Sequence, residues 1–105
     1  MILRRRRFVE LVGRQLDLWE QEHDDLIRAR ALAERDYDRA AREEAESVYG
    51  ELLDIVDTGA EGLADLRDTY ARTLSDDELA EEYCSAFHRA ASRRLPGFAV
   101  RLEER

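Results

Sequence analysis

The sequence contains no lysine and no asparagine, so all 17 of its basic residues are arginine. Both missing residues are encoded by A-rich codons, and a GC-rich genome is one explanation. Acidic chains that lack lysine and are rich in Ala, Asp and Glu are also typical of salt-adapted archaea, which is the other explanation. In multimolar salt the Debye length falls below about 3 Å, so long-range electrostatic effects would be weak in such a source.

Cysteine, proline and long apolar runs are equally scarce. The single cysteine, Cys84, excludes a disulfide within the chain, and a reducing cytoplasm is the expected setting. No apolar run approaches the ~20 residues that a membrane-spanning helix needs, and the arginine-rich start lacks the apolar segment of a secretory signal. One proline and five glycines place few interruptions in the way of long helices.

Recognisable catalytic motifs are missing as well. The chain has no glycine-rich phosphate loop, no nucleophile elbow and no Ser-His-Asp arrangement. Adjacent acids such as Glu81 and Glu82 point in different directions on a helix, which is typical of a solvated face rather than of a general acid–base pair. The sequence therefore predicts no enzymatic activity and no bound cofactor.

Charge is what the chain has in excess: 40% of its residues are charged, beside 44% that are hydrophobic. The charge is unevenly distributed, with a net +4 over residues 1–14, −9 over 15–60, −6 over 61–82 and +3 over 83–105. Both ends are therefore basic and the middle is acidic. Length and composition predict one all-α domain over residues 1–105.

Apolar residues recur at steps of three and four, uninterrupted by proline, through the first half of the chain. This pattern predicts one long helix over about residues 4–57. The segment DTGAEG, residues 57–62, contains two glycines and is the first expected break.

Two shorter helices are predicted after that break, over about 61–74 and 76–94. Ser75 and Glu78 have the spacing of a capping box at the start of the second one. The sequence LPGF ends that helix, and residues 96–105 are expected to form a short C-terminal tail. The predicted architecture is a helical hairpin or bundle with coiled-coil character, in which the two short helices pack back along the long one.

The length of the first helix leaves part of it without a partner. Two short helices cover only its C-terminal part, so residues 1–23 are predicted to protrude as a self-association arm. Homodimer formation would bury the large apolar side chains of this arm, each worth about 1.5–3 kcal/mol. A first helix that bends back near residue 35 would instead give a compact bundle. The predicted interface consists of Phe8, Leu11, Val12, Leu18 and Trp19, of which tryptophan is the typical interface hot spot.

Arginines gather at both ends of the chain. Those near the N-terminus oppose the dipole of the helix that they begin, whereas those near residue 94 complement the dipole of the last helix. If these two helices are antiparallel, both groups form one basic pole that suits an acidic protein or phosphate. A net charge of −8 disfavours nucleic acid among these partners. The predicted pole consists of Arg4, Arg5, Arg6, Arg7, Arg93 and Arg94.

Metal binding is the weakest of the hypotheses that the sequence raises. Glu20 and His23 have the Glu-x-x-His spacing of helical di-iron sites, and Cys84 and His88 lie one helical turn apart. Two histidines are too few for a typical site of this kind. The simpler interpretation is a small buried cysteine and a partly exposed histidine, so no metal is predicted.

Together these patterns predict a non-catalytic protein–protein interaction or adaptor module that forms a homodimer through its N-terminal arm and contacts an acidic partner through its basic pole. An accessory nucleic-acid-binding or regulatory protein is the alternative function. A metal-binding helical bundle is the third.

Overall fold

The computed structural model describes residues 7–105, and these residues form five helices and no strand. The prediction of an all-α fold is confirmed. The helices differ in their bounds from the predicted ones, and they are α1 (Val9–Glu22), α2 (Asp24–Arg39), α3 (Ala45–Ala71), α4 (Asp77–Arg94) and α5 (Pro96–Leu102).

The single helix predicted over about 4–57 is wrong, because the chain leaves helical geometry twice within it. At His23 the backbone turns to φ −119° and ψ 27°, yet the His23 N–H still donates to the Trp19 carbonyl at 2.9 Å, so the helix bends there. At Ala40 the backbone becomes extended, and residues 40–44 reverse the chain. The structure thus resembles the alternative in which the first helix folds back, although the reversal follows residue 39 rather than residue 35.

The break predicted at residues 57–62 is also wrong, because α3 runs through it without interruption. Its glycines serve packing instead. A Cβ atom on Gly59 would overlap the ring of Phe98 from α5, and one on Gly62 would lie 3.4 Å from the indole nitrogen of Trp19. The Phe98 ring therefore approaches the α3 backbone where a side chain at position 59 would displace it, whereas a Cβ at position 62 would make an ordinary van der Waals contact with Trp19.

The last predicted helix is nearly correct in its bounds. Its start shifts by one residue, because the side chain of Asp76, rather than that of Ser75, accepts the backbone N–H of Glu78 at 2.8 Å. An aspartate is as good an N-cap as a serine, so the sequence offers two adjacent candidates. The predicted tail contains a further helix, α5, which Pro96 opens from its first turn.

One hydrophobic core joins α1, α3, α4 and α5. The apolar stripe of α1 packs into this core, because the reversal after Arg39 brings the rest of the chain back alongside it. The predicted uncovered stripe therefore has intrachain partners among the described residues. Fully buried large side chains at its centre are Val12, Leu16, Leu63, Tyr83, Phe87, Phe98 and Leu102.

The ends of α2 and α3 nearest the reversal extend beyond this core. We call residues 31–54 the distal hairpin; of these, Ala33 alone is buried. The Cα atoms extend over 52 × 23 × 21 Å, so the described chain is more than twice as long as it is wide. None of the helices in residues 7–105 is long and apolar enough to span a membrane.

Candidate interaction surface between α1 and α4

A groove of about 590 Å³ runs between α1 and α4 on the surface of the core. Small or apolar residues form its floor and arginines form its wall. We call it the arginine groove, and its lining residues are Val9, Gly13, Ala86, Arg89, Ala90, Arg93 and Arg94.

Helices α1 and α4 pack in parallel, and the groove lies where small residues of both helices face each other. Near their starts, the Arg7 guanidinium lies 3.7 Å from the Glu82 carboxylate. Further along both helices in the same direction, Arg94 donates to the Gly13 carbonyl at 3.0 Å. Residues four apart share one face of a helix, so Ala86 and Ala90 of α4 lie side by side. With Gly13 opposite, the helices leave open space between them, since a Cβ on Gly13 would meet nothing within 4 Å.

The arginines of the groove are unequally compensated. Arg94 forms ion pairs with Asp17 and with Glu20, the latter at 2.9 Å. Arg89 and Arg93 are exposed, and neither forms an ion pair with any residue in 7–105. Two guanidinium groups therefore face solvent beside an apolar floor, and Val9 on that floor is itself 51% exposed.

The predicted interface residues do not form a surface in this chain. Phe8, Val12 and Trp19 are buried in the core, Leu11 is half-buried, and Leu18 is exposed. Phe8, Val12 and Trp19 were predicted as interface residues because they were expected to lack a partner within the chain. Their burial in the core shows that they have one.

Trp19 in particular is enclosed by its own chain. Its ring stacks on the His23 imidazole at 4.2 Å and meets the edge of the Phe98 ring at 6.0 Å. Together with the backbone at Gly62, these rings surround the indole. Trp19 thus links α1, α3 and α5 in the core.

The predicted basic pole is only partly assembled in the described residues. Because α1 and α4 are parallel, Arg7 lies beside the start of α4, whereas Arg93 and Arg94 lie at its end. The antiparallel packing on which a single pole depends is therefore absent from residues 7–105. The remaining members, Arg4, Arg5 and Arg6, lie outside the described residues.

Sequence reasoning missed Arg89 and the two groove residues of α1, Val9 and Gly13. A signal for Arg89 was present, because it precedes Arg93 by four residues and therefore shares its helix face. The contribution of α1 had no such signal, since it depends on the direction in which two distant helices pack.

The weak metal candidates are not brought together. Glu20 pairs with Arg94, and His23 Nδ1 lies 2.8 Å from the Trp19 carbonyl oxygen. Within the described part of the chain, no three His, Cys, Asp or Glu side chains converge as a metal site would require. Cys84 and His88 do share one region, but a buried arginine, Arg67, lies beside them.

Arg67 is a second feature that the sequence did not indicate. It is 6% exposed and donates to the Asp68 carboxylate at 2.8 Å and to the Arg105 carbonyl at 3.2 Å. Its Nη1 also lies 2.9 Å from His88 Nε2. A guanidinium can only donate, so His88 accepts through Nε2 and is neutral in this arrangement.

Burial and Arg67 affect the titration of both neighbours. The pKa of His88 is lowered, first by burial and then by the Arg67 charge. The pKa of the Cys84 thiol is raised, chiefly by burial. A protonated thiol and a neutral imidazole beside a fixed cation favour a structural role for this cluster over a nucleophilic or metal-binding one.

Comparison with known proteins gives no family assignment. No protein-family model matches the chain, no curated protein is significantly similar to it, and no solved structure resembles it significantly. The function of the arginine groove therefore has to be inferred from its own geometry and charge.

Proposed function

We propose that the protein is a non-catalytic interaction module that holds an acidic protein segment in the arginine groove. The observation that carries this proposal is the pair of exposed guanidinium groups on Arg89 and Arg93, which form no ion pair with a described residue. The planar guanidinium matches a carboxylate through two parallel hydrogen bonds. Glutamate and aspartate side chains are therefore suitable ligands.

The floor of the groove favours a protein segment over a small anion. Val9 presents apolar surface beside the arginines, the buried Ala86 and Ala90 lie at the bottom of the groove, and Gly13 leaves room for an approaching backbone. A segment with acids on one side and apolar side chains on the other fits both parts of this surface. Each exposed ion pair contributes only about 0.2–1 kcal/mol, so a weak and salt-sensitive contact is expected.

Nucleic acid is the less suitable occupant. Proteins that bind duplex DNA commonly neutralise about 6–10 phosphates. The groove offers three arginines, and Arg94 is already paired with Asp17 and Glu20. The net charge of −8 repels a duplex with many phosphates more strongly than a short segment that carries a few carboxylates.

Fluorescence anisotropy of a labelled peptide rich in glutamate and leucine tests the proposal. At low salt the peptide is expected to bind the full chain, and binding should weaken as salt rises. Arg93→Glu replaces an attraction by a repulsion of similar size, so we expect binding to weaken by about two- to thirtyfold.

Arg14→Glu is the matched control, since Arg14 is exposed on α1, does not line the groove and undergoes the same change of charge. The control should bind the peptide nearly as well as the wild type. Equal losses in both variants would overturn the proposal, because net charge and not the groove would then determine binding. Preferential binding of a labelled DNA duplex would favour the nucleic-acid alternative instead.

A further inference from the structure

We infer that the acidic segment in the arginine groove is the distal hairpin of a second copy of this chain. The inference rests on the proposed function, because it names the partner of the same groove. It joins two surfaces of the molecule that have complementary charge and that lie apart within one chain.

The distal hairpin has the charge that the groove lacks. Its eight acidic and three basic residues give it a net charge of −5. Glu34 pairs with Arg30, while no ion pair joins the other acids to any described residue. The acidic residues of the hairpin are Glu34, Asp36, Asp38, Glu43, Glu44, Glu46, Glu51 and Asp54.

The hairpin also has exposed apolar surface. Leu32, Tyr37 and Tyr49 are 53%, 39% and 44% exposed, and the two tyrosine rings lie 5.1 Å apart across the hairpin. Tyrosine beside carboxylates suits a groove whose floor is apolar and whose wall is guanidinium, since a tyrosine buries a large ring at low cost in side-chain entropy.

The hairpin cannot fill the groove of its own chain. The groove uses Val9 and Gly13 in the first half of α1, whereas the hairpin extends from the opposite end of that helix, beyond the bend at His23. Two copies arranged side by side in opposite directions place each hairpin against the other's groove. This arrangement is two-fold symmetric and closed, so it gives a dimer and repeats the weak contact twice.

Sedimentation equilibrium at low salt tests the inference. The wild type is expected to be a dimer of the 12.2 kDa chain at near-millimolar concentration and to dissociate at about 1 M salt, where the Debye length is about 3 Å. A groove variant, Arg89→Glu with Arg93→Glu, should be monomeric. A hairpin variant, Asp36→Arg with Asp38→Arg, should be monomeric too, and its new positive charges suit the C-terminal turn of α2.

Mixing the two variants provides the decisive comparison. In the mixed dimer, the acidic groove of the groove variant faces the basic hairpin of the hairpin variant. The unchanged groove of the hairpin variant faces the unchanged hairpin of the groove variant, so both contacts are again attractive. The equimolar mixture should therefore form a dimer although neither variant does so alone. Where circular dichroism shows that a charge reversal unfolds a variant, glutamine at the same positions should still raise the dimer dissociation constant roughly tenfold.

Three outcomes would overturn this inference: a monomeric wild type under all these conditions, a dimer that persists in the groove variant, or a mixture that stays monomeric. A monomeric wild type that binds the acidic peptide through Arg93 would leave the proposed function intact. Loss of peptide binding at protein concentrations too low for dimers would instead remove the proposed function itself.

Discussion

Arg67 is the one charged residue among those buried in 7–105, and its surroundings show how the fold accommodates a cation away from solvent. One carboxylate, one backbone carbonyl and one neutral imidazole accept its hydrogen bonds. A buried charge is tolerated only when its donors are matched in this way. His88 therefore helps to stabilise the buried Arg67 charge by accepting a hydrogen bond, and protonation of His88 would remove that acceptor.

We predict that the stability of the protein falls on acidification because of His88. Its pKa in the folded state lies below the ordinary value of 6.5, through burial and Arg67, with Asp68 and Glu103 opposing the shift. Between the two values the unfolded chain binds a proton that the folded chain does not, so the free energy of unfolding decreases as pH falls from 6.5. One proton limits this slope to about 1.4 kcal/mol per pH unit.

Urea unfolding of the wild type and of His88→Gln, measured over a series of pH values, checks this prediction. Glutamine does not titrate and can still accept from Arg67, so the variant should lose this component of the pH dependence while His23 and the carboxylates remain in both proteins. Identical pH profiles would contradict the assigned role of His88.

At the scale of helices, the sequence predicted what depends on local chemistry. The bounds of α4 were correct to within a residue, because acids and a side-chain cap mark its start and Pro96 follows its end. The reversal at residues 40–44 was missed because its sequence, AAREE, consists of good helix formers. Tertiary packing of α2 on α3 decides that turn, and no local residue signals it.

The glycines of α3 show the opposite case, in which the local sequence signals a helix break that the fold does not contain. Gly59 and Gly62 have the composition of a helix break, yet α3 continues through both, and the Phe98 ring of α5 lies where a side chain on Gly59 would be. A single sequence does not distinguish a glycine that ends a helix from a glycine that admits a ring.

Alanine at two positions of α3 should have opposite effects on stability. Gly59→Ala places a methyl group in the ring of Phe98, and overpacking of this kind costs about 1–3 kcal/mol. Gly50→Ala meets nothing within 4 Å and should raise the free energy of unfolding by about 0.4–1 kcal/mol, because alanine loses less backbone entropy on folding. Thermal or urea unfolding of both variants makes the comparison, and a stabilised Gly59→Ala protein would refute the packing role of that glycine.

At the scale of the whole molecule, the described chain consists of one core and one projection. Of the groove, Arg93 and Arg94 were predicted from composition at the end of the last helix. The groove residues of α1, Val9 and Gly13, were not predicted. They lie beside α4 because the chain reverses after Arg39, and the sequence contains no signal for that reversal. The sequence predicted that the middle of the chain is acidic, and the structure places part of that acidic segment in the distal hairpin.

Amide hydrogen exchange should distinguish these two parts. The distal hairpin has one buried side chain, Ala33, so its amides are expected to exchange through local opening well before those around Tyr83 and Phe87 in the core. Exchange followed by mass spectrometry at micromolar protein concentration tests this expectation in the dilute protein. Uniform protection across residues 31–54 and α4 would contradict it.

The distal hairpin also makes its own length an adjustable dimension of the molecule. Two antiparallel helices gain reach together when equal segments are inserted into both, and seven residues in each would add about 10 Å. The inserted turns would lie beyond the core, which ends near Val56 on α3, so they would require no rearrangement of buried side chains. A series of such insertions would change the distance that the hairpin spans while leaving the stability of the core unchanged.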